Sequence, residues 1–437
     1  MEMLNLNREM TRCSDKENEG LSDDGAEKSN ENQKKRSKGE KRVSFPPDEH
    51  IVSGFAEQRS TDPKADSCLT LTEIMAAYQR NCSIHQVEPK PHILQQLQAT
   101  QLEENGAASL LDMISYYEST THLDISDNSS MGTSGWKALA HLIKQSVSLS
   151  RLDLCNVPIV AGPAQCISKA LSSSRLTVLN LCNAQLSGVP LYTLVGALKT
   201  NRTLHELHLA NNLLNSYQDA LQLGDLLRYN NTLQTLELSN NVVADAGLEE
   251  LCDGLKWQTT GLQVLLLRNN QITAKGMEHL ARTLPVLKVL QVLDLGENLL
   301  GNEGIHVIRE SLMVNCSVQQ LSLTQANITC EGAVALAEFL VENHQIKRLD
   351  LRMNDVRLGG LMALSVALKI NNSLVHLDLD FIPSQEQDEF LSDTQTRLQA
   401  EITQRCLINA RLRGPAEETS ETSTADAHGL PDNTTAA

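Results

Sequence analysis

The stretch LHELHLANN at residues 204–212 returns 29 residues later as LQTLELSNN at 233–241, and again as LQVLLLRNN at 262–270. In each copy a pair of leucines two residues apart flanks one variable position, the alternation of a short strand with one buried face. Aligned on the first leucine of this Leu-x-Leu pair, the chain repeats every 27 to 29 residues. The leading leucines are Leu123, Leu152, Leu179, Leu207, Leu236, Leu265, Leu293, Leu321, Leu349 and Leu377.

Two further positions divide each unit into a strand, a bend and a helix. Five residues after the leading leucine, six of the ten units carry an Asn whose side chain is expected to bond backbone at the bend: Asn128, Asn212, Asn241, Asn270, Asn298 and Asn354. A glycine often follows, and stretches such as EGAVALAEFL at 331–340 then show the i, i+3, i+4 apolar spacing of a helix.

A second asparagine series lies six residues before the next leading leucine, at Asn201, Asn230, Asn315, Asn343 and Asn371. Helices commonly end in a left-handed residue, and Asn is the commonest one other than Gly. The series therefore predicts left-handed helix ends. Several of these residues stand in N-x-Ser/Thr, but with no secretory signal the helix-end interpretation is favoured over glycosylation.

The unit length and the full helix in each unit resemble the ribonuclease-inhibitor type of leucine-rich repeat. The resemblance implies an α/β solenoid, a horseshoe with a parallel sheet inside and helices outside. We expect ten repeats at 119–382, an N-terminal helical cap with a degenerate repeat at 67–118, and a C-terminal capping helix at 383–413. The flanks are rich in Ser, Asn, Glu and Lys and are expected to be disordered, as an arm at 1–66 and a tail at 414–437.

Composition narrows the class of function. The net charge of −17 argues against general nucleic-acid binding, and no apolar run approaches the length needed to span a membrane. The ten cysteines are scattered without metal-ligand spacing, which favours reduced thiols in a cytoplasmic protein that also reaches the nucleus if its basic run serves import.

The segment Lys41-Arg42-Val43-Ser44-Phe45 is the strongest functional signal. It matches the RVxF docking motif of protein phosphatase 1 regulators, a family resemblance that implies two apolar anchors, Val43 and Phe45, and a basic lead-in. Ile51 and Val52 resemble the hydrophobic extension that many such regulators carry. Two alternatives are a nuclear-import patch with the preceding Lys34, Lys35, Arg36 and Lys38, and a solvated basic linker.

Together, motif and repeats resemble the leucine-rich-repeat regulatory subunits of protein phosphatase 1, the subunit 37 family, from about 41 to 413. The resemblance implies binding to the phosphatase catalytic subunit and lowered activity in the complex. One alternative is a GTPase-activating solenoid of the Ran type, which leaves KRVSF unexplained. The other is a scaffold independent of the phosphatase that uses only its concave face. Ser44 lies between the two anchors, so its phosphorylation is expected to disfavour docking, although it could equally be an unmodified exposed serine.

On the exposed face of the sheet, the residue between the paired leucines is a carboxylate in six of ten repeats: Asp124, Asp153, Glu237, Asp294, Asp350 and Asp378. This column is either a binding stripe for a basic ligand, hence a second protein partner, or a solubilising surface. A catalytic carboxylate needs a raised pKa in a closed pocket, which an open repetitive face does not predict. The twelve histidines show no nucleophile or zinc spacing, so we expect neither an enzyme nor a cofactor or metal site.

Overall fold

The computed structural model describes residues 104–118, 120–258, 260–380 and 389–413, all within the compact unit Ser67–Ala437. Its ten strands have three residues each: β1 (His122–Asp124), β2 (Arg151–Asp153), β3 (Val178–Asn180), β4 (Glu206–His208), β5 (Thr235–Glu237), β6 (Val264–Leu266), β7 (Val292–Asp294), β8 (Gln320–Ser322), β9 (Arg348–Asp350) and β10 (His376–Asp378).

Helices alternate with these strands. They are α1 (Glu104–Tyr117), α2 (Gly132–Gln145), α3 (Ala161–Leu171), α4 (Gly188–Leu198), α5 (Tyr217–Tyr229), α6 (Ala244–Leu255), α7 (Ala274–Thr283), α8 (Gly301–Val314), α9 (Cys330–Glu342), α10 (Leu358–Leu368) and α11 (Glu389–Arg413), with a 3-10 turn at Leu284–Val286.

The strands form one parallel sheet in the order in which they occur in the chain. Each leading leucine is the register partner of the next, from Leu123 opposite Leu152 to Leu349 opposite Leu377. Since the period of a strand is two, this row of leucines faces the helices, and from Leu123 to Leu349 it is buried. The predicted leucine-rich-repeat solenoid is confirmed.

Asparagine side chains at the bend satisfy backbone groups that lie beyond the short strands. Asn298 donates from Nδ2 to the carbonyl oxygens of Leu267 at 2.9 Å and Leu295 at 3.0 Å. Its Oδ1 accepts hydrogen bonds from the backbone N–H groups of Asn270 at 2.9 Å and Ile272 at 3.0 Å. One buried amide thus links two repeats, as the position of this series predicts.

The second asparagine series acts differently from the prediction. Asn230, Asn315 and Asn343 have φ of −103°, −71° and −85°, so they are extended and the prediction of left-handed helix ends is wrong. Their side chains bond the loop instead. Asn315 Nδ2 donates to Leu284 O at 2.7 Å in the previous repeat, and its Oδ1 accepts from the N–H of Val318 at 2.9 Å.

The left-handed residues lie elsewhere, four positions after the leading leucine. This position has φ between 50° and 63° in nine repeats: Asp127, Asn156, Asn183, Asn211, Asn240, Asn269, Glu297, Gln325 and Met353. Asn tolerates this conformation better than other residues with a side chain. The chain therefore turns immediately before the bend asparagine, and the helix ends need no such turn.

Helices α5 and α6 approach unusually closely because each presents a glycine. A Cβ atom on Gly254 would lie 2.1 Å from the carbonyl oxygen of Gly224, and one on Gly224 would lie 2.4 Å from Glu250 O. No side chain larger than hydrogen fits there without moving backbone.

The C-terminal helix α11 covers the last repeat, as a solenoid end requires. Ile402 and Cys406 are buried against the repeat, and Leu398 packs on the same core. Asn409 donates from Nδ2 to the carbonyl oxygens of Asn371 at 3.1 Å and Leu374 at 2.8 Å.

Candidate functional site

The predicted docking residues Lys41, Arg42, Val43, Phe45, Ile51 and Val52, together with Ser44, lie outside the described residues. The predicted column of carboxylates lies among the described residues, on the face of the sheet opposite the helices. We call it the sheet face; it carries the strand residues that flank the leading leucines and the residue two positions after each strand.

The structure brings the six predicted carboxylates into one row. Register pairs run from Asp124 through Asp153, Asn180, His208, Glu237, Leu266, Asp294 and Ser322 to Asp350 and Asp378. Each position is one strand from the next, roughly 4.8 Å away. Asp124 at the end of the row is exposed, and its Oδ1 accepts a hydrogen bond from the N–H of Ser126.

Asp153 is neutralised by its own surroundings. Arg151, two residues earlier on the same strand, donates through Nε at 2.9 Å and Nη2 at 3.1 Å, and His122 Nε2 bonds the same carboxylate. Burial alone would raise the pKa of Asp153, but the hydrogen bonds from Arg151 and His122 outweigh it and hold that pKa below its ordinary value.

His208 is the centre of a second group. Its Nδ1 donates to Glu237 at 2.6 Å and its Nε2 lies 3.4 Å from Glu206. Burial alone would lower the pKa of His208, but the two carboxylates outweigh it and raise the pKa to about 9. His208 is therefore a cation at neutral pH, and Glu237 has a built-in counter-ion.

The C-terminal half of the row is also paired. Arg352 binds Asp350 through Nη2 at 2.6 Å and Nε at 3.0 Å, and Arg348 binds Asp378 of the next repeat through Nη2 at 3.0 Å. Asp294 is held instead by the N–H of Gly296 at 2.8 Å, and burial raises its pKa. A basic ligand on the sheet face would have to replace these arginines and His208, which the sequence-based prediction of an acidic stripe did not anticipate.

The sheet face carries carboxylates and histidines, which are residue types that can bind metal ions. Within the described ranges, no cluster of His, Cys, Asp or Glu could hold a metal ion. Asp153, Glu237, Asp350 and Asp378 form ion pairs on this face, whereas Asp124 and Asp294 accept hydrogen bonds from backbone N–H groups. Among the same residues, no helix has the length and apolar character needed to cross a bilayer.

Two features of the surface escaped the sequence analysis. Some of the left-handed side chains bond one another in an exposed row: Asn183 Nδ2 donates to Asn156 Oδ1 at 2.7 Å, Asn156 Nδ2 to Asp127 Oδ1 at 2.8 Å, and Asn269 Nδ2 to Asn240 Oδ1 at 3.0 Å. At the helix C-termini, Arg228 lies over the ring of Trp257 at 4.9 Å, and more than half of the Trp257 side chain is exposed. The Asn-Asn dipeptides at 211–212, 240–241 and 269–270 were a signal for this exposed row.

Comparison with known proteins gives matches of two kinds. A family model described as "Leucine Rich repeat" matches residues 229–252, 314–337 and 342–365. The chain is 43% identical over 256 residues to "Protein phosphatase 1 regulatory subunit 37" of Bos taurus, an alignment that covers 49% of this chain and 36% of the relative. The Homo sapiens protein of the same name is 42% identical over 256 residues, covering 49% of this chain and 37% of the relative.

The chain therefore spans little more than a third of the length of these curated relatives. The matches confirm the resemblance to the subunit 37 family that the sequence indicated. These relatives are named as regulatory subunits and not as catalytic ones, and the leucine-rich-repeat match is to this chain.

Solved structures show distant likeness. The yeast structure "Crystal structure of Rad7 and Elc1 complex in yeast" is 17% identical and covers 73% of this chain and 91% of that chain, with a TM-score of 0.32.

Proposed function

We propose that this protein is a non-catalytic regulatory subunit that binds the protein phosphatase 1 catalytic subunit through Lys41–Phe45, with Ile51 and Val52 as a second apolar contact, and lowers its activity. The solenoid is the platform that holds a second protein or covers the approach of substrates. The proposal places the protein in the cytoplasm, with nuclear entry through the basic residues at 34–38.

The observation that carries the proposal is the identity of 41–43% to relatives named as regulatory subunits of this phosphatase. KRVSF supplies a chemically reasonable contact, since an extended peptide can add to a sheet edge with two side chains in pockets and basic residues at the entrance. The described part of the chain supports a platform role, because its leucine-rich repeats present one continuous ten-stranded sheet.

The test is binding of the full chain to the purified phosphatase catalytic subunit, measured by titration calorimetry, for wild type and Val43→Ala/Phe45→Ala. A matched control is Val160→Ala/Phe390→Ala, which makes the same two substitutions at exposed solenoid positions. Removing two desolvated anchors typically costs more than about 2 kcal/mol in total, roughly a 30-fold weaker Kd.

Loss of binding in the motif variant alone supports docking, and assays of phosphatase activity on the same samples give the sign of regulation. Equal binding by wild type and the motif variant would reject docking through KRVSF. Absence of binding by the wild type would favour a scaffold that acts through the solenoid alone. A Ran-type activator would instead accelerate GTP hydrolysis by its GTPase, with the motif variant as active as wild type.

A further inference from the structure

Two cysteines lie side by side on the sheet face. Cys155 and Cys182 each follow their strand by two residues, and the parallel pairing of β2 with β3 continues to them: Leu154 N–H donates to Asn180 O at 2.9 Å and Asn156 N–H donates to Cys182 O at 3.0 Å. Cys155 and Cys182 therefore occupy facing positions in neighbouring repeats. Neither is in a disulfide, and both are partly exposed.

This placement satisfies the distance requirement of a disulfide. Neighbouring strands lie roughly 4.8 Å apart, and disulfide-bonded residues have Cα atoms about 4.4–6.8 Å apart. Because the two residues stand opposite each other in the register of neighbouring repeats, a bond between them needs only local rotation and no movement of one repeat against the next.

The surroundings also make the pair reactive. The hydrogen bond from Cys182, helped by the Ser126 hydroxyl, outweighs burial and the charge of Asp153 and lowers the pKa of Cys155 to about 7. Its interaction with Cys155, burial and the charge of Glu237 raise the pKa of Cys182, which is held as the thiol. One sulfur is thus a substantial fraction thiolate at neutral pH, and the other is a protonated resolving partner.

Two other thiols of the described chain are inaccessible. Cys252 and Cys406 are buried, and burial raises their pKa values to about 12 and about 11. Buried, protonated thiols react slowly.

We propose that Cys155 and Cys182 are a site of reversible oxidation by hydroperoxides, which ends in a disulfide across the sheet face. The Cys155 thiolate attacks one peroxide oxygen, the O–O bond breaks, and Cys155 becomes a sulfenic acid while hydroxide or alkoxide leaves. The Cys182 sulfur then displaces the sulfenic oxygen as water, its proton going to that water, and the S–S bond forms. The peroxide is reduced by two electrons, the thiol pair is oxidised by two, and a dithiol reverses the reaction.

The site bears on recognition because it lies within the charged row. Cys155 is two residues after Asp153, and Cys182 is within the field of Glu237. A disulfide there would tie the second repeat to the third and remove two hydrogen-bonding groups from the surface that a partner would meet.

The experiment treats the full chain with a few equivalents of hydrogen peroxide at pH 7.4, blocks remaining thiols, and maps tryptic peptides by mass spectrometry. Cys155 lies in peptide 152–169 and Cys182 in peptide 176–199. Since Cys166 shares the first peptide, Cys166→Ser is the matched control. We expect a cross-link between the peptides, lighter by two hydrogen atoms and lost with dithiothreitol, in wild type and Cys166→Ser, and its complete loss in Cys155→Ser and Cys182→Ser.

A second measurement does not depend on losing the cross-link. Circular dichroism first shows whether each variant is folded. In folded Cys182→Ser, the sulfenic acid has no resolving thiol, so dimedone labelling of Cys155 should rise well above that of wild type. A cross-link that persists in Cys155→Ser, or the absence of any cross-link at peroxide levels that oxidise exposed methionines, would overturn the proposal.

Discussion

Asn230 donates a hydrogen bond from its side-chain Nδ2 to the carbonyl oxygen of Leu198, 2.7 Å away in the preceding repeat. The Oδ1 of the same amide accepts from the N–H groups of Thr232 and Leu233. Asn230 is buried, whereas its neighbour Asn231 is exposed. One side chain therefore supplies hydrogen-bond partners both to a backbone carbonyl at the end of one helix and to backbone N–H groups just before the next strand.

Replacing Asn230 with Ala should lower the free energy of unfolding by about 1–3 kcal/mol, because several buried backbone groups lose their partner. Urea unfolding followed by circular dichroism measures this change. Asn231→Ala, one residue away and in the same turn, should lie within about 0.5 kcal/mol of wild type. Equal effects of the two substitutions would contradict the assigned role.

Gly254→Ala should destabilise the protein by at least about 1–3 kcal/mol, because its methyl group would meet the Gly224 carbonyl and force α5 and α6 apart. The matched substitution is Gly196→Ala in α4, where no atom lies within 4 Å of the added carbon. There the higher helix propensity of Ala should stabilise by about 0.5–1 kcal/mol. Thermal unfolding of both variants gives the comparison, and the same sign for both would be evidence against the close approach.

Ile402→Ala should expose and loosen the end of the solenoid, at a cost of about 2–4 kcal/mol for a buried isoleucine. Ile408→Ala in the same helix removes a partly exposed side chain and should cost less than about 1 kcal/mol. Limited proteolysis adds a local readout, with Ile402→Ala cut faster near the last repeat. Identical proteolysis of the two variants would show that α11 does not protect this end.

His208 should make stability depend on pH in a defined window. The pKa of His208 is about 9 in the folded protein against an ordinary 6.5, so the folded state holds the proton more tightly. The stabilisation that protonated His208 gives the folded state is fully present below about pH 6.5, declines as pH rises, and is lost above about pH 9. The full effect is at most about 3 kcal/mol at 1.36 kcal/mol per pKa unit.

We therefore expect the difference in unfolding free energy between wild type and His208→Gln to shrink from pH 6 to pH 9.5. Taking the difference cancels groups that titrate equally in both proteins. His344→Gln, an exposed histidine outside the network, controls for the loss of a histidine. A difference that is constant over this range would show that Glu206 and Glu237 do not hold the proton.

Phosphorylation of Ser44 should weaken docking. A phosphate adds roughly −1.5 to −2 charge beside two apolar anchors and would have to be desolvated there. A peptide of residues 35–56 phosphorylated on Ser44 should bind the phosphatase catalytic subunit at least about tenfold more weakly, about 1.4 kcal/mol. The same peptide phosphorylated on Ser37 carries equal charge outside the motif. Equal affinities for the two phosphopeptides would remove Ser44 as a control point.

The repeat pattern was enough to predict the strands, their order and the leucine row, because a strict period leaves one register for Leu123 to Leu377. The repeat pattern did not predict which charged side chains form ion pairs with each other. The tripeptide Arg-Leu-Asp occurs at 151–153 and 348–350, yet Arg151 binds its own Asp153 while Arg348 binds Asp378 of the next repeat. The two repeats differ four residues after each arginine. Arg352 stands there in the later repeat and binds Asp350, whereas the earlier repeat has Cys155, which leaves Asp153 to Arg151.

The left-handed turn was missed for a related reason. Its position is Asn in five repeats but Asp127, Glu297, Gln325 and Met353 in others, so identity varies while conformation stays fixed. The repeating geometry imposes this conformation on whichever residue occupies the position, and local propensity is only a weak guide to it.

Asn409 belongs to α11, yet it bonds the carbonyl of Asn371 as Asn230 bonds that of Asn201 and Asn371 that of Asn343. In the two earlier turns the bonding amide, Asn230 or Asn371, comes just before another strand, which offers an edge to the next repeat. Here it comes with a helix, which offers none. Asn409 therefore acts like the end group of a polymer. It makes the same side-chain-to-backbone hydrogen bond as the repeat asparagines, but its helix offers no strand edge to which another repeat could add.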